Sequence, residues 1–187
     1  MSSVRSLEQS EIVINTFLRI APSSEGRLKG SYLAVSEQGD SITITNPAHR
    51  TAETKESFTF ERVFYPDTSQ AEVYGEIKTK VIDNLFAGKN VGIFSFGQSG
   101  SGKSYTIFGD KNLSSEINAA NIESKDDKRG IMLRACKNIL NKIEEMPEHN
   151  IELTVQFYQV RQVTIHNLLN YSPSMNLKNG WFVYSLK

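Results

Sequence analysis

Gly97-Gln98-Ser99-Gly100-Ser101-Gly102-Lys103-Ser104 is the stretch on which the reading of the chain turns. It meets the pattern GxxxxGK[ST] at every fixed position, the spacing of a phosphate-binding loop. A polyphosphate is held by backbone N–H groups crowded around it, and glycine permits that approach by lacking a Cβ and tolerating positive φ. Lys103 reaches the β- and γ-phosphates, and the Ser104 hydroxyl supplies a ligand for Mg²⁺. The flanks support this reading. Asn90-Val91-Gly92-Ile93-Phe94-Ser95-Phe96 is a short apolar run that reads as a buried strand. Lys103 to Phe108 reads as the opening of a helix whose N-terminal N–H groups face the phosphates. A surface turn that merely happens to precede Lys-Ser has no reason to lie between a buried strand and a helix start.

Working outward, Ile12 to Ile20 reads as a buried strand ending at Pro22, and Tyr32–Val35 with Ser41–Thr45 reads as a hairpin around Gly39-Asp40. Asn46 to Ser57 is polar and reads as loop, and Phe58 to Phe64 alternates like a strand. Ser69-Gln70-Ala71-Glu72 is a capping box. It opens a helix whose apolar face carries Val73, Ile77, Val81 and Leu85, with Gly88 as its stop. Gly109 to Arg129 is too long and polar for a plain connection and reads as a functional loop or an insertion. A helix is expected from Ile131 to about Ile143, then strands at Leu153–Val160 and Trp181–Tyr184, with a short apolar end at Ile165 to Leu169. Strands and helices alternate around the phosphate loop, so the class is α/β.

Composition narrows the function. A chain of 187 residues is one domain or a piece of a larger one. Lys plus Arg and Asp plus Glu are equal at 21 each, so no global field favours nucleic acid or a membrane surface. The first twenty residues carry Glu8, Glu11 and Arg19 and no long apolar run, which fits neither a signal peptide nor an anchor and makes a cytoplasmic protein the expectation. Cys136 is the only cysteine, so no disulfide forms within the chain, and its place on an apolar helix face reads as a buried, inert thiol. His49, His149 and His166 lack zinc-ligand spacing. Asp83 reads as a surface residue, Lys125 to Arg129 as a solvated charge cluster, and Trp181 as a core residue.

Once the loop is placed, its neighbours take on a pattern. Phe58-Thr59-Phe60-Glu61-Arg62-Val63-Phe64, Gln70-Ala71-Glu72-Val73-Tyr74, Leu85-Phe86-Ala87-Gly88-Lys89-Asn90, and the run from Ile93 through the loop to Thr106 resemble, in order and spacing, the kinesin motor domain. The family reads FxFDxVF, QxxVY, LxGxN and FAYGQTGSGKTYTM. Arg129-Gly130-Ile131-Met132-Leu133-Arg134 resembles its RGIIPR, with Leu133 where the proline stands. The resemblance implies a P-loop NTPase fold, a central mixed sheet flanked by helices. It implies ATP with Mg²⁺ as ligand, microtubules as partner, a cytoskeletal location, and no role for nucleic acid or membrane. Oligomeric state stays open.

By resemblance, the nucleotide is held by Gly97, Gln98, Ser99, Gly100, Ser101, Gly102, Lys103 and Ser104, with Tyr105, Arg19 and Pro22 near the adenine and Ser104 on the metal. Residues 109–129 correspond to the family's variable loop. Three departures stand out. Ala21 replaces the second arginine of the adenine motif RxRP, removing a stacking and hydrogen-bonding group. In Phe157 to Leu169, like the family's YLEIYNExVRDLL, the polar anchors are replaced by Gln159, Arg161, Gln162, Val163 and Asn167. The switch motifs NxxSSRSH and DLAGSE do not occur, so the resemblance covers about the first half of a motor domain, taken here as residues 1–187, incomplete on its C-terminal side. Two functions are carried forward. One is a microtubule motor domain that binds ATP and, when complete, hydrolyses it. The other is a non-catalytic kinesin-like chain that binds nucleotide or a partner. A small-molecule kinase or GTPase would need a strand-end Asp or an NKxD motif after the loop, and neither is present.

Overall fold

The computed structural model describes residues 13–22, 32–46, 54–110, 128–161, 164–167 and 181–186. They fall into two compact units, Met1–Thr68 and Ser69–Lys187, each built around its own sheets.

In the first unit, β1 (Phe17–Arg19) runs parallel to β5 (Arg62–Phe64), with Leu18 opposite Val63. The rings of Phe17 and Phe64 stack with centroids 6.2 Å apart. Of the strand expected over residues 12–20, three residues form the ladder with β5, and Val13 and Ile14 are exposed. β2 (Leu33–Val35), β3 (Ser41–Asn46) and β4 (Thr54–Thr59) form a separate antiparallel sheet in that order. Its first hairpin turns where expected. Gly39 takes φ 70°, and the Ser36 hydroxyl lies 2.7 Å from the Asp40 carboxylate and accepts from the backbone N–H of Asp40 and Ser41.

Phe58 to Phe64 is not one strand. The chain breaks at Phe60-Glu61, so the first half pairs with β3 and the second with β1. The break is held by the backbone N–H of Phe60 on the Asp40 carbonyl and that of Glu61 on the Thr16 carbonyl, both 2.7 Å. Residues 54–57, read as loop from their polarity, belong to β4. This is an edge strand exposed along its length, where polar side chains meet no penalty.

The second unit opens with α1 (Gln70–Phe86), and the capping box is formed as expected. Glu72 N–H donates to the Ser69 hydroxyl at 3.2 Å, and Ser69 N–H donates to the Glu72 carboxylate at 2.9 Å. The helix stops at Gly88, φ 74°, where N–H groups of Gly88 and Lys89 donate to the carbonyls of Leu85 and Asn84 and close the last turn. α2 (Lys103–Ile107) follows the phosphate loop, and α3 (Ile131–Glu144) ends before a short 3-10 turn at Pro147–His149. Val81 and Ile82 of α1 pack with Ile139 of α3, and Leu85, Phe86, Ile143 and Leu153 surround them. Leu153 opens β6 (Leu153–Arg161), which pairs antiparallel with β7 (Thr164–Asn167) on one side and β8 (Trp181–Leu186) on the other.

Two expectations need correcting. Parallel and antiparallel pairs both occur beside helices, yet the described strands form three small sheets and not one central sheet. The run Asn90–Phe96, expected as a buried strand, joins no ladder among the described residues, and Val91, Ile93, Phe94 and Phe96 are exposed. Apolar composition sets a preference for burial. A strand buried on both faces of a parallel sheet also needs a hydrogen-bonded neighbour, and no described strand lies against this run.

Candidate functional site

The phosphate loop departs from ordinary backbone at its glycines. Gly97, Gly100 and Gly102 have φ of 150°, 81° and 91°, conformations that other residues adopt only with strain. At Gly97 there is also no room, since a Cβ there would lie 2.6 Å from the Ser101 hydroxyl oxygen. Ser101 N–H donates to the Gln98 carbonyl at 3.2 Å and tightens the loop. At Gly102 the chain turns into α2, whose N–H groups from Thr106 and Phe108 donate to the carbonyls of Gly102 and Ser104.

Lys103 closes the constellation. Its Nζ donates to the carbonyls of both Gly97 and Gln98 at 2.7 Å, so the ammonium is folded back over the loop that its own backbone forms. These acceptors are neutral. An anionic phosphate oxygen adds the attraction of opposite charges, so it competes for the same ammonium. Ser104 lies next along the chain and is exposed. Among the described residues no three His, Cys, Asp or Glu side chains gather into a metal cage.

The residues that the resemblance assigns to the adenine fall in different units. Tyr105 is on α2, and its carbonyl accepts from the Gln70 side chain at 2.6 Å. Arg19 ends β1 in the first unit, where one of its terminal nitrogens donates to the Thr68 carbonyl at 3.2 Å, and Pro22 is exposed.

Two features of the site were not anticipated. Gln70 is only 2% exposed and ties the start of α1 to α2, bracing the helix that follows the loop. Its sequence signal was a polar residue on the stripe shared with Val73, Tyr74 and Ile77. The second feature lies at the foot of the long loop. Gly109 and Arg129 form a bridge, with Asp110 N–H on the Lys128 carbonyl and Gly130 N–H on the Phe108 carbonyl, both 3.1 Å. An ion pair between Lys128 and Asp110 at 3.5 Å lies beside it. The end of α2 is thus fastened to the start of α3, while residues 111–127 lie outside the described residues.

Arg129, expected in a solvated cluster, is instead 7% exposed, and its carbonyl accepts from Nε of the equally buried Arg134 at 2.9 Å. The Arg129 carbonyl, just before the start of α3, supplies for the Arg134 guanidinium what water would otherwise give. Cys136 is only half-buried. Asp83 is a surface residue as expected and pairs with Lys142 at 3.3 Å. His149 is exposed, with Nδ1 3.0 Å from the Glu148 carboxylate. His49 and the side chains of His166 and Trp181 lie outside the described residues. In the Phe157 to Leu169 stretch the backbone forms the β6–β7 hairpin, with Gln159 opposite His166. No described helix is long and apolar enough to cross a membrane.

The family model for the kinesin motor domain matches residues 18–181. The kinesin-like protein KIN-14P of Oryza sativa subsp. japonica is 28% identical over 168 residues, which is 89% of this chain and 16% of that protein. The kinesin-like protein KIF1A of Rattus norvegicus is 27% identical over 176 residues, 88% of this chain and 10% of that protein. Centromere-associated protein E of Homo sapiens is 34% identical over 113 residues, 60% of this chain and 4% of that protein. The chain therefore spans well under a fifth of the length of these three relatives.

Proposed function

The chain belongs to the kinesin motor domain family, and from that premise we propose that it is a partial motor domain, residues 1–187, whose loop 97–104 binds the phosphates of ATP. The protein it represents acts as a microtubule motor on the cytoskeleton. The observation that carries this reading is Lys103, whose ammonium is held 2.7 Å from the carbonyls of Gly97 and Gln98 on a loop of left-handed glycines. Each part has a task there. The loop N–H groups other than that of Ser101, which donates to the Gln98 carbonyl, would wrap the phosphates, Lys103 would give up its carbonyl contacts for phosphate oxygens, and Ser104 would meet the cation. Mg²⁺ would be held by the Ser104 hydroxyl together with the nucleotide and would supply neutralisation of phosphate charge. Gly97, Gly100 and Gly102 keep the loop close enough for its N–H groups to converge. Tyr105, Arg19 and Pro22 are assigned to the adenine on the resemblance.

The test is binding of Mg·ATP by calorimetry to the native chain and to Lys103→Ala. Removing a charged donor of this kind weakens affinity by about 1.5–3 kcal/mol, roughly ten- to a hundredfold. Equal affinities would sink the assignment.

A second reading, a non-catalytic kinesin-like chain that binds nucleotide or a partner, is favoured by the replaced anchors at Gln159, Arg161 and Asn167 and by Ala21. Nucleotide binding is common to both readings. Turnover separates them.

A further inference from the structure

Gln70 stands at the first position of α1 with only 2% of its surface exposed, a place where an uncompensated amide is costly. Its Nε2 donates to the Tyr105 carbonyl at 2.6 Å, so the bond joins α1 to the middle of α2. That carbonyl also accepts from Gly109 N–H at 2.9 Å, and Gln70 takes its second lone pair. A five-residue helix closes few bonds of its own, and none of the α2 side chains is buried. Its place therefore depends on bonds from outside it. Lys103 and Ser104 are its first two residues, so whatever fixes α2 also fixes the groups that face a phosphate.

We propose that Gln70 is a positioning residue for the nucleotide, holding α2 by the Tyr105 carbonyl so that Lys103 and Ser104 meet the phosphates together with loop 97–102. This role rests on the phosphate binding proposed for that loop. The side chain is specific for the task. Asn is one methylene shorter, Glu sets an acceptor against an acceptor, and Met keeps the length but donates nothing. The capping box of Ser69 and Glu72 fixes the first turn of α1, so the amide projects from a firm base.

Calorimetry of Mg·ATP and Mg·tripolyphosphate binding to the native chain and to Gln70→Met tests the proposal, with urea unfolding of each. Gln70→Met is expected to weaken both ligands about two- to tenfold, the worth of one hydrogen bond. Tripolyphosphate carries no base, so an equal loss places the effect at the phosphates. Ile139→Val loosens the packing of α1 on α3 and is expected to bind both ligands like the native chain. Added to Lys103→Ala, Gln70→Met is expected to cost less affinity than it does alone, because both act through one ammonium. Without nucleotide, hydrogen exchange at the N–H groups of Thr106, Phe108 and Gly109 is expected to quicken in Gln70→Met. Gln70→Asn carries the same expectations where Gln70→Met does not fold. Unchanged affinities in a folded variant overturn the inference and leave the loop assignment standing. So do losses that Ile139→Val reproduces at equal stability, or that add in full to those of Lys103→Ala. A native chain that binds neither ligand overturns the loop assignment and this role with it, and unchanged exchange at α2 overturns the brace alone.

Discussion

Gly109 and Gly39 both have positive φ, 107° and 70°, but they differ in the space around them. A Cβ at Gly39 meets nothing within 4 Å, whereas one at Gly109 runs into the Lys128 carbonyl and the backbone of Arg129 and Gly130. Gly39→Ala is therefore expected to cost about 1–2 kcal/mol, the strain of a left-handed residue. Gly109→Ala should cost more, because the bridge that fastens α2 to α3 has to open. Urea denaturation of both variants measures the difference, and equal losses would mean that the bridge adds nothing. Lys103 differs again. Its bonds to Gly97 and Gln98 are exposed, so Lys103→Ala should stay within about 0.5 kcal/mol of native stability while losing nucleotide affinity. The types and spacing of the loop residues were legible in the sequence, since glycine, lysine and serine each bring a property of their own. The place of the Lys103 ammonium was not, because side-chain torsions are chosen by the folded surroundings.

At the scale of elements, the helices followed their local signals closely. α1 begins at its capping box and ends at its glycine, and α3 ends ahead of Pro147. Hydrogen bonds within a helix join residues close in sequence, so caps and periodicity carry most of the information. Ser69→Ala removes the cap and should lower stability by about 0.5–2 kcal/mol. Ile139, 2% exposed between Val81 and Ile82, should lose about 2–5 kcal/mol on truncation to alanine. Thermal or chemical unfolding checks both values, and an Ile139→Ala loss below that of Ser69→Ala would contradict the packing. Strands were harder to read, and for one reason. The alternation of Phe58 to Phe64 says which side chains share a face, but not that the halves serve different partners. β4 likewise joins β3 although its residues look like loop.

For the molecule as a whole, turnover is the informative quantity. Phosphoryl transfer rests on positioning and electrostatics around the γ-phosphate, and neither NxxSSRSH nor DLAGSE occurs in these 187 residues. The chain alone is therefore expected to bind Mg·ATP with negligible hydrolysis, measured as phosphate release with and without microtubules. Sustained release that disappears in Lys103→Ala would show that the chain supplies its own catalytic groups.

The sequence by itself determined the phosphate loop, the three helices, the β2–β3 hairpin and the kinesin resemblance, all of which depend on residues near one another in the chain. Only the tertiary structure decided the burial of Arg129 and Arg134, the brace from Gln70, and the fastening of Gly109 to Arg129. It also decided that Val91–Phe96 joins no ladder among the described residues. A strand and a buried charge are completed by partners distant in sequence, and no local pattern encodes whether those partners are at hand.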